Sequence, residues 1–167
     1  MTDCNTKPIT FSSLNSRPVL AAFHGGRLPS DAGALLLREA DRRLGLTGAL
    51  DKVIPDPRNP FSIVHQQRTL LRQRIYALAM GYEDVNDQQA LRVDPLMQLV
   101  TDRGVREDRP LASPPTICRL ENRIDRHTLA DMAQVLVETF IGSFKEPPKE
   151  LILDFDATND PIHGGQV

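Results

Sequence analysis

Apolar residues recur every three to four positions through most of the sequence between residues 30 and 145, and this period constrains the fold more than any other feature. Such spacing places side chains on one face of an α-helix. The clearest segments lie at about 32–44, 63–82, 113–126 and 128–144. The sequence therefore predicts a mainly α-helical domain whose helices pack through these faces.

The period also predicts which side of each helix is buried. In the 113–126 helix, Ile117, Leu120 and Ile124 should face the core. The face expected for the first helix consists of Ala32, Leu35, Leu36 and Ala40. The face expected for the last helix consists of Leu129, Met132, Ala133, Leu136, Val137 and Phe140.

Capping residues mark several helix ends. Ser30 or Asp31 suits the N-cap of the first helix, and Gly45 suits its C-terminal stop. Asp94 before Pro95 predicts another N-cap with proline at the first helical position. The remaining signals are a short helix at 46–53, chain breaks at Pro55, Pro57 and Pro60, and a cap at Asp84 or Asn86.

The sequence on either side of the helical region has a different character. Residues 1–29 show no helical period, so we expect an irregular arm in which Val19 to Phe23 can form a short strand. Apolar side chains at 151–153 and 155 indicate another strand after a proline-containing linker. We therefore divide the chain into an arm at 1–29, a helical domain at 30–145, and a linker with the first strand of a second domain at 146–167.

The composition favours a soluble, cytoplasmic protein. A chain of 167 residues with 40% hydrophobic content can bury a core. No apolar run approaches the length of a membrane span, and no secretory signal is recognisable at the N-terminus. Cys4 and Cys118 are too few for a disulfide framework or a cysteine-rich zinc site.

Basic residues are unevenly distributed, although the net charge is −2. Four of the 20 basic residues are lysines, which leaves 16 arginines. No acidic residue lies between Pro57 and Tyr82, and we expect Arg68 and Arg72 on the solvent side of the helix there. Arginine donates two hydrogen bonds to one phosphate or guanine. This pattern favours double-stranded DNA as the partner.

The 113–126 segment has the form of a recognition helix in a helix-turn-helix. It opens with hydroxyl and proline residues, and its arginines at 119, 123 and 126 would share one helical face. The alternative is a surface helix whose arginines are neutralised by Glu121 and Asp125. The predicted DNA contacts are Arg68, Arg72, Arg74, Thr116, Arg119, Arg123 and Arg126.

The end of the sequence carries candidate catalytic carboxylates. Alternation along a strand places Asp154 and Asp156 on the same face, and two such carboxylates suit Mg²⁺. With Thr158 they are similar to the nucleophile motif of haloacid-dehalogenase-like phosphatases. They also fit the first carboxylate of an RNase H-like two-metal site. A plain strand followed by a polar turn is the third interpretation.

Sequence blocks upstream of the carboxylates separate these interpretations. In order they are Asp31–Asp41, Arg72–Ala79, Gly81–Asp87, Leu111–Asn122 and Leu153–Gly164. Together they resemble the insertion-sequence DDE transposases of the thirteen-eighty family over essentially the whole chain. Five ordered blocks are more specific than one short motif, and a dehalogenase-like enzyme does not explain the first four.

The resemblance implies both a fold and a chemistry. The helical region would help to bind the terminal inverted repeats of the element, and the strand at 151–156 would open an RNase H-like domain that transfers DNA phosphoryl groups with Mg²⁺. Asp156, followed by a small residue and Thr158, would be the first catalytic carboxylate and Mg²⁺ ligand, with Asp154 as the alternative. His163 belongs to the same block without an assigned role.

The resemblance places the second aspartate and the glutamate of the catalytic set downstream of residue 167. We therefore expect a truncated, leading fragment of a transposase that is catalytically incomplete alone and binds DNA, a full-length transposase or another copy of itself. The alternative function is a helical interaction or dimerisation module without DNA binding. A truncated dehalogenase-like phosphatase is a third possibility.

Overall fold

The computed structural model describes residues 7–22, 31–103 and 109–154, and most of them are helical. The helices follow a small antiparallel sheet formed by β1 (Ile9–Leu14) and β2 (Arg17–Ala21). Short 3₁₀ helices span Pro60–Ser62 and Val85–Asp87. The α-helices are α1 (Ala34–Leu44), α2 (Leu46–Val53), α3 (Gln67–Ala79), α4 (Gln88–Leu91), α5 (Pro95–Val100), α6 (Pro114–Glu121) and α7 (Arg126–Gly142). The prediction of a mainly α-helical chain is confirmed.

The N-terminal hairpin was only partly predicted. Its turn consists of Asn15 and Ser16, whose φ angles of 45° and 64° are both positive. Positive φ at both positions is type I′ geometry, which matches the twist of paired strands. The prediction of a strand at 19–23 missed β1 entirely. Phe23 lies outside the described residues.

Several predicted helix ends are confirmed. Gly45 ends α1 with a φ of 71°, a left-handed conformation that glycine adopts without strain. The Asp94 carboxylate accepts a hydrogen bond from the backbone N–H of Met97 at 2.8 Å and caps α5. Asp84 caps the 3₁₀ helix before α4 in the same way. Local capping chemistry therefore located these boundaries correctly.

The beginning and the buried face of α1 differ from the prediction. Gly33 is the N-cap, whereas the Asp31 carboxylate accepts a hydrogen bond from the Tyr82 hydroxyl at 2.8 Å. Leu36 is 66% exposed, and both predicted alanines are exposed. Their places in the interior are taken by Arg38 and Asp41, which are 1% and 7% exposed. A pattern of apolar residues cannot reveal a face that buries paired charges.

Helix α3 lies between two hydrophobic clusters. Tyr76 and Ala77 belong to the first cluster, which also contains residues of β2, α1, α4 and α5. Leu70 and Leu71 belong to the second, which joins α2, α6 and α7. In α6 the predicted core residues Ile117 and Leu120 are buried, with Ile124 packed against them.

Helix α7 buries a narrower face than predicted. It packs mainly on α2, and its buried residues are Thr128 and Val135. One contacting helix can cover only one side of α7, so the rest of its apolar surface remains exposed. Five of the six predicted core residues are exposed, namely Leu129, Ala133, Leu136, Val137 and Phe140.

The predicted strand at 151–156 is absent from its described part, Leu151–Asp154. Ile152 is 86% exposed, and its neighbours Leu151 and Leu153 are more than half exposed. A strand without sheet neighbours leaves its backbone groups unpaired and its apolar face uncovered. Residues 155 and 156 lie outside the described part of the chain.

Candidate nucleic-acid interface

Four charged side chains form an internal network where α1 and α3 meet the residues that follow α5. The Arg38 guanidinium donates to Asp102 Oδ1 at 2.8 Å, and Arg72 Nη1 donates to Asp102 Oδ2 at 2.6 Å. Arg72 Nε also donates to Asp41 Oδ2 at 3.2 Å. Arg38 and Arg72 are 1% and 13% exposed. Their charges are therefore satisfied inside the protein.

Asp41 joins this network to α2 and to the core. The Thr47 N–H and hydroxyl donate to its two oxygens at 2.7 and 2.6 Å, and the Tyr76 hydroxyl donates at 3.1 Å. Burial raises the pKa of Asp41, but the hydrogen bonds from Thr47 and Tyr76 and the charge of Arg72 outweigh it, so the pKa lies below its ordinary value. Asp41 is therefore a carboxylate.

The same network holds the N-terminal hairpin against α1. Arg38 Nη1 donates to the Ser12 carbonyl at 2.7 Å. The Ser12 N–H and hydroxyl donate to the Glu39 carboxylate at 2.8 and 2.6 Å. The hydroxyl bond from Ser12 is the main cause that lowers the pKa of Glu39. Polar contacts thus hold the hairpin in place, together with the apolar packing of Val19 in the first cluster.

A cleft of about 550 Å³ lies beside the network, between α1, α2 and α3. Arg42, Lys52 and Arg68 line it and are exposed. The ion pairs of Arg42 with Asp102 and of Arg68 with Asp51 measure 3.7 and 3.9 Å. Charge-assisted hydrogen bonds are about 2.7–2.9 Å long. These long pairs leave the hydrogen-bonding capacity of both guanidinium groups largely available to an anion from outside.

A glycine makes room for one of these cations. A Cβ atom at Gly48 of α2 would lie 2.7 Å from Arg68 Nη2. The absence of a side chain therefore lets the Arg68 guanidinium lie against α2 at the edge of the cleft.

The predicted recognition helix is wrong in its length. Helix α6 ends at Glu121, so only Arg119 lies on it. Arg123 lies in the turn that follows, and Arg126 is the first residue of α7. The Asp125 side chain caps α7 and begins a new helix at this point. The three arginines therefore do not share one helical face.

Arg123 is held by the body of the protein. Its Nη1 donates to Asp56 Oδ1 at 3.1 Å, and its Nη2 donates to the Gln67 side chain. Hydrogen bonding from Arg58 is the largest effect on Asp56 and helps to lower its pKa to about 2. Arg74 is similarly occupied, since its Nε donates to the Glu121 carboxylate. Pairing in the folded chain thus occupies Arg58 and Arg74, which lie in the acid-free stretch of the sequence, as well as Arg123.

The candidate metal ligands are only partly described. Asp154 is exposed, whereas Asp156, Thr158 and His163 lie outside the described residues. Within 7–22, 31–103 and 109–154, no three His, Cys, Asp or Glu side chains are grouped closely enough to hold a metal ion. A two-metal site needs several converging carboxylates. The described residues therefore do not fit such a site, and no catalytic step is assigned to them.

Comparison with known families decides between the remaining interpretations. A family model described as "Transposase DDE domain group 1" matches residues 11–167, which include most of the hairpin, all described helices, Asp154 and Asp156. The chain belongs to the DDE transposase family. No curated protein and no solved structure matches it. The family match gives no support to a dehalogenase-like enzyme.

The predicted DNA contacts of this transposase chain fall into two groups. Arg72, Arg74 and Arg123 are paired internally, and the half-buried Thr116 hydroxyl is 3.2 Å from that of Ser113. The second group consists of the predicted contacts with exposed side chains, which are Arg68, Arg119 and Arg126.

Arg42 and Lys52 were not among the DNA contacts predicted from the sequence. Each follows an aspartate in the sequence, so a search for acid-free stretches passes over both.

None of the transposase helices in the described ranges is long and apolar enough to cross a membrane.

Proposed function

We propose that this chain is the DNA-binding part of an insertion-sequence transposase of the thirteen-eighty family and binds the terminal inverted repeats of its element. The observation that carries the proposal is the family match, which covers the helical domain as well as the terminal aspartates. Phosphate groups attract cations that lack strong internal partners. The cleft formed by α1, α2 and α3 offers such cations.

The three cleft cations suit the DNA backbone. Arg42 and Arg68 present planar guanidinium groups that can donate two parallel hydrogen bonds to one phosphate. Lys52, which lines the same cleft, adds a compact ammonium charge. Arg119 on α6 and Arg126 at the start of α7 are the other predicted DNA contacts with exposed side chains. We assign phosphate contacts to the cleft and a base contact to Arg119.

Substitution of the cleft cations tests the first assignment. In the variant Arg42→Gln, Lys52→Gln, Arg68→Gln, duplex binding measured by fluorescence anisotropy should weaken at least about tenfold, because three phosphate contacts are lost. The control removes an equal charge at three other exposed positions, Arg17→Gln, Lys145→Gln and Lys149→Gln. Equal losses in both variants would show that only total charge matters.

Arg119→Ala tests the second assignment. If Arg119 reads a base, its loss should reduce discrimination between element ends and unrelated duplex by about 1–3 kcal/mol. Arg126→Ala is the matched control and should weaken binding to both duplexes equally. An unchanged preference in Arg119→Ala would remove the base contact from the proposal.

We also propose that Asp156 is the first catalytic carboxylate and binds the Mg²⁺ ion used by the complete enzyme, with Asp154 as the alternative. The support is the inclusion of this block in the family match. Mn²⁺ titration followed by paramagnetic broadening should first affect signals from residues around 156. Asp156→Ala should abolish this effect. Loss only in Asp154→Ala would transfer the role to Asp154.

A further inference from the structure

Helix α7 carries an apolar surface that no other described element covers. We refer to this surface as the outer face of α7. Its large side chains are between 40% and 55% exposed, and none of its residues is charged. Contiguous apolar patches of several hundred Å² mark interaction sites on soluble proteins. The outer face consists of Leu129, Ala133, Leu136, Val137, Phe140 and the following Phe144.

The spacing of these residues suits packing against another helix. Steps of four, three and four residues lead from Leu129 through Ala133 and Leu136 to Phe140, which is the spacing of a helix–helix seam. The ring of Phe144 stands edge-to-face on that of Phe140, with centroids 5.1 Å apart and an interplanar angle of 82°. The seam therefore continues beyond the end of α7. Val135, on the opposite side, packs into the core.

Side-chain size changes along the outer face. Its N-terminal half contains the small Ala133, and its C-terminal half contains the bulky Phe140 and Phe144. An antiparallel copy of the same helix would place the bulky half of each copy against the small half of the other. Large side chains opposite small ones allow two helices to interdigitate. The face is thus complementary to itself under a two-fold axis, as a symmetric dimer requires.

We propose that a second copy of this chain binds the outer face of α7. The two α7 helices are antiparallel, with the two-fold axis near Leu136 and Val137. Ala133 of one copy faces Phe140 of the other, and Leu129 faces Phe144. The contact needs no DNA and uses none of the cleft cations, so it stands independently of the proposed DNA binding.

The available area agrees with a reversible dimer. The five large side chains, each about half exposed, contribute on the order of 100 Å² each, which gives about 500 Å² per copy and about 1,000 Å² for the pair. Stable interfaces bury about 1,200–2,000 Å² in total. The dimer should therefore dissociate on dilution through the micromolar range.

Sedimentation equilibrium of the whole chain over a dilution series tests this contact. The wild-type protein should pass from dimer to monomer, whereas Leu136→Glu and Phe140→Glu should remain monomeric because a charge would be buried at the axis or beside it. Leu36→Glu is the matched control, since Leu36 is 66% exposed on α1 and lies outside the face. It should dimerise like the wild type. Circular dichroism verifies that each variant is folded.

Exchange of a large and a small residue tests the antiparallel arrangement. Ala133→Phe should weaken dimerisation by placing two bulky rings opposite each other, and Phe140→Ala should weaken it by leaving a void. The double variant Ala133→Phe, Phe140→Ala should restore it. A monomeric wild type would overturn the proposal. Stronger association of Ala133→Phe, or a double variant weaker than both single variants, would overturn the antiparallel pairing.

Discussion

The arginine side chains of this transposase chain differ in what each guanidinium contacts. Arg38 and Arg72 hold Asp102 inside the protein, and Arg123 holds Asp56 and Gln67. Arg68 makes only a long ion pair and remains about half exposed. Burial of an arginine requires a carboxylate partner, since an unpaired buried charge is strongly unfavourable. The exposed group is therefore the one available to DNA.

At Gly45, backbone conformation rather than contact determines the residue. Gly45→Ala should lower the free energy of unfolding by about 1–2 kcal/mol, because a φ of 71° places a Cβ atom too close to the next carbonyl oxygen. Gly33→Ala is the control, since Gly33 has a φ of −56° and open space around it. It should be neutral or slightly stabilising. Equal urea midpoints for both variants would contradict this account.

At Asp56, the ion pairs predict that the stability of the fold depends on pH. The folded-state pKa of about 2 lies below the ordinary 3.8, so this carboxylate stabilises the fold above about pH 4 and loses that contribution as pH falls towards 2. The contribution is about 1 kcal/mol after allowance for solvent screening. In urea unfolding, the Asp56→Asn variant should be less stable than the wild type at neutral pH, and its stability should fall less as the pH is lowered. If the free energies of unfolding of the wild type and of Asp56→Asn fell in parallel as the pH is lowered, the assigned role of Asp56 would be contradicted.

Among the elements, α3 organises the structure because it contributes to both hydrophobic clusters and to the ion network. Two of its arginines, the exposed Arg68 and the largely covered Arg72, are four residues apart. Four residues correspond to about one helical turn, so the two side chains lie near each other but differ in depth. A single helix therefore carries both a structural cation and the cation that we propose contacts DNA.

These two arginines should respond differently to truncation. Arg72→Ala should lower the free energy of unfolding by about 3 kcal/mol or more, because Asp41 and Asp102 lose a buried partner. Arg68→Ala should change it by less than about 0.5 kcal/mol and weaken DNA binding instead. Chemical denaturation and anisotropy on the same samples measure both effects. A stability loss confined to Arg68→Ala would reverse the assignment.

Helices, caps and part of the core could be predicted from the sequence because they depend on neighbouring residues. Gly45 and Asp94 act within one turn, and Ile117 with Leu120 follows the apolar period. The site was harder to predict, because pairing between distant residues decides which arginines are exposed. Asp102 lies 64 residues from Arg38 and 30 from Arg72. No local pattern reveals such a partner.

At the scale of the whole molecule, a small excess of negative charge coexists with a basic cleft. The net charge is −2, so general attraction to DNA is weak and the proposed binding depends on local groups. Arg42, Lys52 and Arg68 supply such a group at one place on the surface. The proposed dimer would present two such clefts to the two ends of one DNA segment or to separate duplexes.

The salt dependence of duplex binding tests the central claim most directly. Each phosphate contact lowers log K by about 0.9 per tenfold increase in salt. Wild-type binding should therefore fall with a slope of about −3 or steeper, and the variant Arg42→Gln, Lys52→Gln, Arg68→Gln should lose about 2.7 of that slope. A wild-type slope near zero, or an equal slope in both proteins, would contradict DNA binding through the cleft.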